Sequence, residues 1–192
     1  MLVDPLAMSK RNNVLKLTGN ALIALSFLGL VFIYYPIIRG YLFPPTIVIA
    51  DNQPAIRIEK INAAAPLVFN VDPWNKEEYI EALSNGVAHA KGTFMPGEKG
   101  TVFLFAHSSD APWRLTRYNT VFLRLGELEP GDEIRLTTEQ GEFLYIVREK
   151  KVVWPSETEY LTNVERDQLI LQTCSPVGTD LKRLLVFADP VS

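Results

Sequence analysis

Near the start of the chain the apolar residues form a block, with no periodic spacing. From Leu17 to Ile38 no charge interrupts 22 residues that include Leu22, Ile23, Leu25, Phe27, Leu28, Leu30, Val31, Phe32 and Ile33. A helix needs about 20 apolar residues to cross the hydrocarbon core of a bilayer, so the block predicts a transmembrane helix over 17–38. Tyr34, Tyr35 and Tyr41 stand at its far end, where aromatic rings favour the membrane interface. Pro36 falls in the predicted last turn. A cleaved signal peptide competes with this reading, but its apolar region spans about 7–15 residues before a small-residue cleavage site. This run is longer, and no A-x-A follows it promptly. A buried core helix would need a polar outward face, and the block has hardly any polar residues.

The pattern then changes to short apolar runs divided by turn residues. Residues 39–53, with Pro44 and Pro45, read as a linker. Ala55–Ile61 alternates, and Val102–Ala106 is continuously apolar, as a strand buried on both faces would be. Val121, Leu123 and Leu125 are spaced as one face of a further strand. Glu129-Pro130-Gly131-Asp132 turns the chain into Ile134–Thr138, and Gly141 separates that run from Phe143–Val147. Leu169–Leu171 and Leu184–Ala188 complete the set. One helix is predicted at Lys76–Leu83, after Pro73. Short strands at this spacing suggest a mainly β body, a closed or nearly closed barrel in preference to a doubly wound α/β fold.

Charge sharpens the division. Residues 1–39 carry Lys10, Arg11, Lys16 and Arg39 against Asp4, a balance of +3, while the remainder carries 15 basic against 21 acidic residues, a balance of −6. An acidic body with a basic head does not suggest nucleic acid. The basic residues ahead of the span place the N-terminus in the cytoplasm by the positive-inside bias, with the body outside. The expected organisation is a cytoplasmic basic segment 1–16, an anchor 17–38, a linker 39–53 and a folded body 54–192. The chain has one cysteine and two histidines, so it holds no intramolecular disulfide and no cysteine-cluster zinc site. A metal centre is not expected. A free thiol in an oxidising compartment invites a functional explanation.

Three residues stand at the ends of buried-type runs. His107 follows Val102–Ala106, Cys174 closes the run from Leu169, and Arg183 opens Leu184–Ala188. If the last two runs form an antiparallel hairpin, Cys174 and Arg183 meet at one edge of the sheet. His107 joins them if its strand runs in the same direction as the cysteine strand. Such a cluster permits acyl transfer: a thiol activated by imidazole attacks a carbonyl, the imidazole returns the proton to the leaving amine, and a guanidinium stabilises the oxyanion. Each residue also has a plainer reading. Cysteine is often a small core hydrophobe, a strand-end histidine is usually a solvated or hydrogen-bonded surface group, and Arg183 has Asp180 nearby as an ion-pair partner.

These residues resemble a known family. LILQTC, ending in Leu171, Gln172, Thr173 and Cys174, is similar to the L-x-T-C motif of sortases, the membrane-anchored cysteine transpeptidases of bacterial surfaces. Arg183 matches the family's strand-borne arginine, and His107 in FLFAHSS matches its catalytic histidine. GVAHAKGTFMPGEKG (Gly86–Gly100) and FLRLGELEPGDEI are similar to further family segments, so the likeness runs from about Ile56 to Ala188. Two positions depart from it: Ala106 stands where glycine is frequent, and Ile170 where threonine is frequent.

The resemblance implies an eight-stranded barrel with one or two short helices. It also implies Cys174, His107 and Arg183 as catalytic residues, with Thr173 helping to line the oxyanion site. His89, in the G-V-x-H stretch, reads as structural or adjacent to the site. The implied substrates are secreted proteins with an L-P-x-T-G-like C-terminal sorting signal, and the implied acceptor is an amine such as a cell-wall precursor or a pilin lysine. No cofactor is expected beyond the calcium some relatives use, for which no carboxylates are assignable. An exported cysteine peptidase with water as acceptor, and a tethered peptide-binding β-domain without catalysis, remain the alternatives.

Overall fold

The computed structural model describes residues 5–42, 49–50, 53–108 and 118–191; of residues 5–12 and 36 it describes the backbone alone. The chain divides into two units, Met1–Tyr35 and Pro36–Ser192. The first holds most of a single helix, α1 (Pro5–Leu42). Within α1, Asn13–Tyr35 is long and apolar enough to cross a membrane. Helical backbone continues through Pro36 to Leu42, four residues beyond the span expected from the sequence.

The second unit is built on eight strands, β1 (Ala55–Ile58), β2 (Ala63–Val71), β3 (Val87–Ala90), β4 (Thr101–Phe105), β5 (Glu133–Thr138), β6 (Gly141–Val153), β7 (Gln168–Ser175) and β8 (Lys182–Pro190). Two short helices accompany them, α2 (Lys76–Asn85) and α3 (Glu159–Thr162). The strands close into a barrel in the order β1-β2-β3-β4-β7-β8-β6-β5. Closure leaves no unpaired edge. Two pairings are parallel, β2 with β3 and β4 with β7. A parallel neighbour demands a crossover connection, and α2 supplies it for β2 and β3. The N-terminus of α2 is capped by Asn75, whose side chain accepts from the Glu78 N–H while Glu78 reaches back to the Asp72 N–H. At its C-terminal end, Gly86 passes so close to β2 that a Cβ would lie 2.3 Å from the Pro66 carbonyl oxygen.

Inside the barrel the apolar faces of the strands meet. Leu104, Leu136, Leu171 and Val186 are fully buried there, with Phe122 and Leu125 from the segment between β4 and β5. That segment is not the strand its spacing predicts. Its amides bond three residues back, Val121 to Tyr118, Leu123 to Thr120, Leu125 to Phe122 and Leu128 to Leu125, which is turn and 3-10 geometry. Phe122 between the alternating positions is itself buried, so the apolar surface wraps round the segment instead of lying on one face. Glu59–Ile61, read as the end of a strand, likewise forms a 3-10 turn.

His89 lies on β3 opposite Leu104 and is completely buried. Thr93 donates its hydroxyl to the Ala90 carbonyl, so its oxygen accepts from Nε2–H of His89 at 3.0 Å, with the Phe94 carbonyl 2.9 Å from the same nitrogen. Nδ1 accepts from the Asn70 N–H at 3.4 Å, where β2 bulges and Asn70 turns left-handed (φ 59°). Only neutral imidazole satisfies all three partners. Burial holds the imidazole below its ordinary value, against the Phe94 hydrogen bond and the charge of Glu98, which favour protonation. A group whose native pKa is depressed leaves the unfolded chain binding more protons. Stability should therefore fall as pH drops from about 6.5 towards the native value, and then level off. Urea midpoints measured between pH 7.5 and 5 should fall in the wild type and much less in His89→Gln; parallel pH profiles for the two would refute this.

Candidate active site

Register pairs two of the three candidate residues directly and leaves the third just past the end of a neighbouring strand. β4 lies parallel to β7, with Phe105 opposite Gln172, and two further positions along these neighbouring chains are His107 and Cys174. On its other side β7 pairs antiparallel with β8, and there Cys174 stands directly opposite Arg183. Side chains at matching register share a face of the sheet. On β7 the interior face carries Leu169, Leu171 and Thr173, all buried, so Cys174 belongs to the opposite face and is half-buried. The sequence LILQTC thus folds as an alternating strand whose last outward residue emerges as the cover thins.

The hydrogen-bond pattern of the ladders adds detail. The Ala106 N–H donates to the Gln172 carbonyl at 3.1 Å. The main-chain groups of Gln172, and of Cys174 two residues on, therefore face β4, while those of Thr173 face β8. Cys174 and Arg183 are then a non-hydrogen-bonded antiparallel pair, the kind with the closer side chains. The Arg183 guanidinium is anchored at its base, with Nη1 donating to the carbonyls of Asp180 at 2.9 Å and Lys182 at 3.2 Å. Among the described residues these main-chain oxygens are its hydrogen-bond partners, and the Asp180 carboxylate makes no ion pair with it.

His107 lies one residue beyond the Ala106 amide that ends the β4 ladder. Its carbonyl accepts from the Phe122 N–H at 3.2 Å. The carbonyl before it, that of Ala106, accepts from the Thr173 hydroxyl at 2.9 Å in a buried position. Thr173 therefore faces the interior with its hydroxyl committed to the neighbouring chain. The residues backing the histidine, Phe122 and Thr173, could be anticipated only in part: Thr173 by its place before the cysteine, and Phe122 by nothing in the local pattern. His89 lies on the interior face, away from Cys174.

Burial pushes the Cys174 thiol above its ordinary pKa. The Arg183 charge opposes this shift and the Asp180 charge reinforces it. The permanent positive charge of Arg183 beside the thiol favours the thiolate form. Among the described residues no group of three or more His, Cys, Asp or Glu is placed to hold a metal ion.

An eight-stranded barrel with Cys174 opposite Arg183, and with His107 two residues past the end of β4, belongs to a recognisable class of protein, which comparison with known sequences identifies. The sortase-domain family model matches residues 56–191, and the chain belongs to the sortase family. It is 36% identical over 141 residues to sortase D of Bacillus subtilis, covering 71% of this chain and 63% of that protein. It is 28% identical over 119 residues to sortase A of Bacillus anthracis, covering 62% and 53%. The chain thus spans less than two thirds of the length of these curated relatives. Among solved structures it resembles sortase C-1 from Actinomyces oris (TM-score 0.61, 29% identity, 74% and 75% of the two chains). It also resembles a Clostridium perfringens sortase D5 transpeptidase (TM-score 0.58, 30% identity, 74% and 80%).

The electrostatics predict how the thiol titrates. The rate of Cys174 alkylation by iodoacetamide, followed against pH, should rise with a midpoint above the ordinary thiol value. Arg183→Gln should move that midpoint further up and Asp180→Asn should move it down. A wild-type midpoint below the ordinary range, or shifts of the opposite sign, would contradict the arrangement.

Proposed function

We propose that this chain is a membrane-anchored cysteine transpeptidase acting on C-terminal sorting signals of secreted proteins. The observation that supports the reading best is the pairing of Cys174 with Arg183 in a sortase-family barrel, with His107 two residues past the end of the strand that runs parallel to the cysteine strand. In the proposed reaction His107 takes the Cys174 proton and the thiolate attacks the carbonyl of the threonine in an L-P-x-T-G-like signal. Arg183 holds the oxyanion. When the carbon–nitrogen bond breaks, the imidazolium gives its proton to the departing glycine amine and a thioester remains. An acceptor amine then attacks the thioester, loses its proton to His107, and the Cys174 sulfur leaves. A cell-wall precursor or a pilin lysine fits the acceptor's role, and a water acceptor would make the same site a peptidase.

The proposed organisation keeps the basic segment 1–16 in the cytoplasm, the bilayer around 17–38, a linker at 39–53 and the body 54–192 outside. The apolar span within α1 and the three basic residues ahead of residue 17 support that topology. No step calls for a metal or a nucleic-acid partner.

A fluorogenic L-P-x-T-G-like peptide, with and without a glycine- or lysine-based amine, tests the reading on the full chain in detergent. Cleavage should be lost in Cys174→Ala. In His107→Ala it should fall by about 10²–10⁴-fold, and in Arg183→Ala by about 10²–10³-fold, mainly in kcat. With the amine present, mass spectrometry should find the new amide. Wild-type cleavage by Cys174→Ala would end the proposal, and hydrolysis without any amide product would leave a peptidase.

A further inference from the structure

The β4–β7 ladder stops one bond early. Its pairs run from Thr101↔Gln168 to Phe105↔Gln172, and its last bond is the Ala106 N–H to the Gln172 carbonyl. In a parallel ladder the following bond returns from two residues further on, which here would carry the Cys174 N–H to the Ala106 carbonyl. No pairing continues that far. The Ala106 carbonyl instead accepts the Thr173 hydroxyl at 2.9 Å. Thr173 is buried and its side chain lies on the interior face, opposite to the thiol. Its hydroxyl cannot line the reacting face, where the resemblance would have it.

The Cys174 amide is left in a particular position. Its N–H points towards β4, because the Gln172 carbonyl two residues earlier does. The carbonyl it would meet there is occupied. Among the described residues it meets no other main-chain carbonyl outside the ladders. A nucleophile's own N–H, held beside its sulfur and unspent, is suitably placed to donate to an oxyanion forming on a carbonyl that the sulfur attacks.

We infer that Thr173 is a positioning residue whose hydroxyl takes the place of a ladder bond, and that the Cys174 N–H thus released donates to the oxyanion beside Arg183. This rests on Cys174 as the nucleophile. It does not depend on which peptide is recognised, and it adds to the proposed reaction a donor from the main chain.

The experiment compares two reagents on the full chain in detergent. 4-Nitrophenyl acetate acylates the thiol through an oxyanion, whereas iodoacetamide alkylates it without one. Thr173→Val keeps the shape and removes the donor, and Thr173→Ser retains it. In Thr173→Val the acylation burst should slow by about 10²-fold, the scale for losing one oxyanion donor. Alkylation and its pH profile should stay within about threefold of wild type, and Thr173→Ser should recover acylation. Thermal melting of both variants accompanies the rates, so loss of fold is seen directly.

Wild-type acylation in Thr173→Val would overturn the inference. So would a matching loss of alkylation, which would assign Thr173 to the thiol or to the fold. Absence of cleavage of any sorting peptide by the wild type, with acylation still dependent on Thr173, would refute the sorting reading and leave this inference standing.

Discussion

Everything at the reactive edge depends on the direction of one strand pairing. β4 runs parallel to β7, and β7 runs antiparallel to β8. The end of β4, the end of β7 and the start of β8 therefore lie at the same edge of the barrel. Reversing β4 would carry His107 to the far end of the sheet, some five residues away along β7, or about 17 Å at strand rise. A parallel pairing needs a long connection, and here it contains β5, β6 and the turns that carry Phe122. The connection is useful in its own right, since Phe122 returns to hold the His107 carbonyl. The connection that the parallel pairing requires thus also supplies a partner for the main chain of His107.

Legibility in the sequence followed the strength of local patterning. LILQTC and LLVFA read as strands because every position is apolar or alternates, and the structure has β7 and β8 there. β2 escaped because AAAPLVFNV offers three alanines and a proline with no alternation, although it is nine residues long. β3 has only four residues, all buried. β6 runs to Val153, well past Val147, because Arg148 to Lys151 are charged and break the apolar pattern while the backbone stays paired with β8. The 121–125 spacing misled because period-two apolar positions arise by chance when nearly every residue in a segment is apolar.

The candidate site was legible as residue types and not as geometry. Nothing local joins His107 to Cys174 across 66 intervening residues; only the order of strands in a closed sheet does. The opposition of Cys174 and Arg183 was nearer to hand, since a hairpin forces it once both flanking runs are strands. The Ala106 carbonyl and its exchange of partners were beyond reach of pattern, because they depend on where a ladder stops.

The electrostatics of Cys174 suit the compartment proposed for it. A thiolate is the form that oxidises most readily, and an exposed low-pKa cysteine outside the cytoplasm would be spent quickly. Burial counteracts this by raising the thiol above its ordinary value, with Asp180 assisting and Arg183 opposing. The nucleophile then depends on a proton acceptor at the moment of attack, a demand the proposed role of His107 meets. Arg183 contributes at two stages on this reading, limiting how far burial raises the thiol and then meeting the charge that passes from sulfur to the substrate oxygen. The same guanidinium serves both because Nη1 is tied to the Asp180 and Lys182 carbonyls, so its position does not have to be found anew as the charge moves.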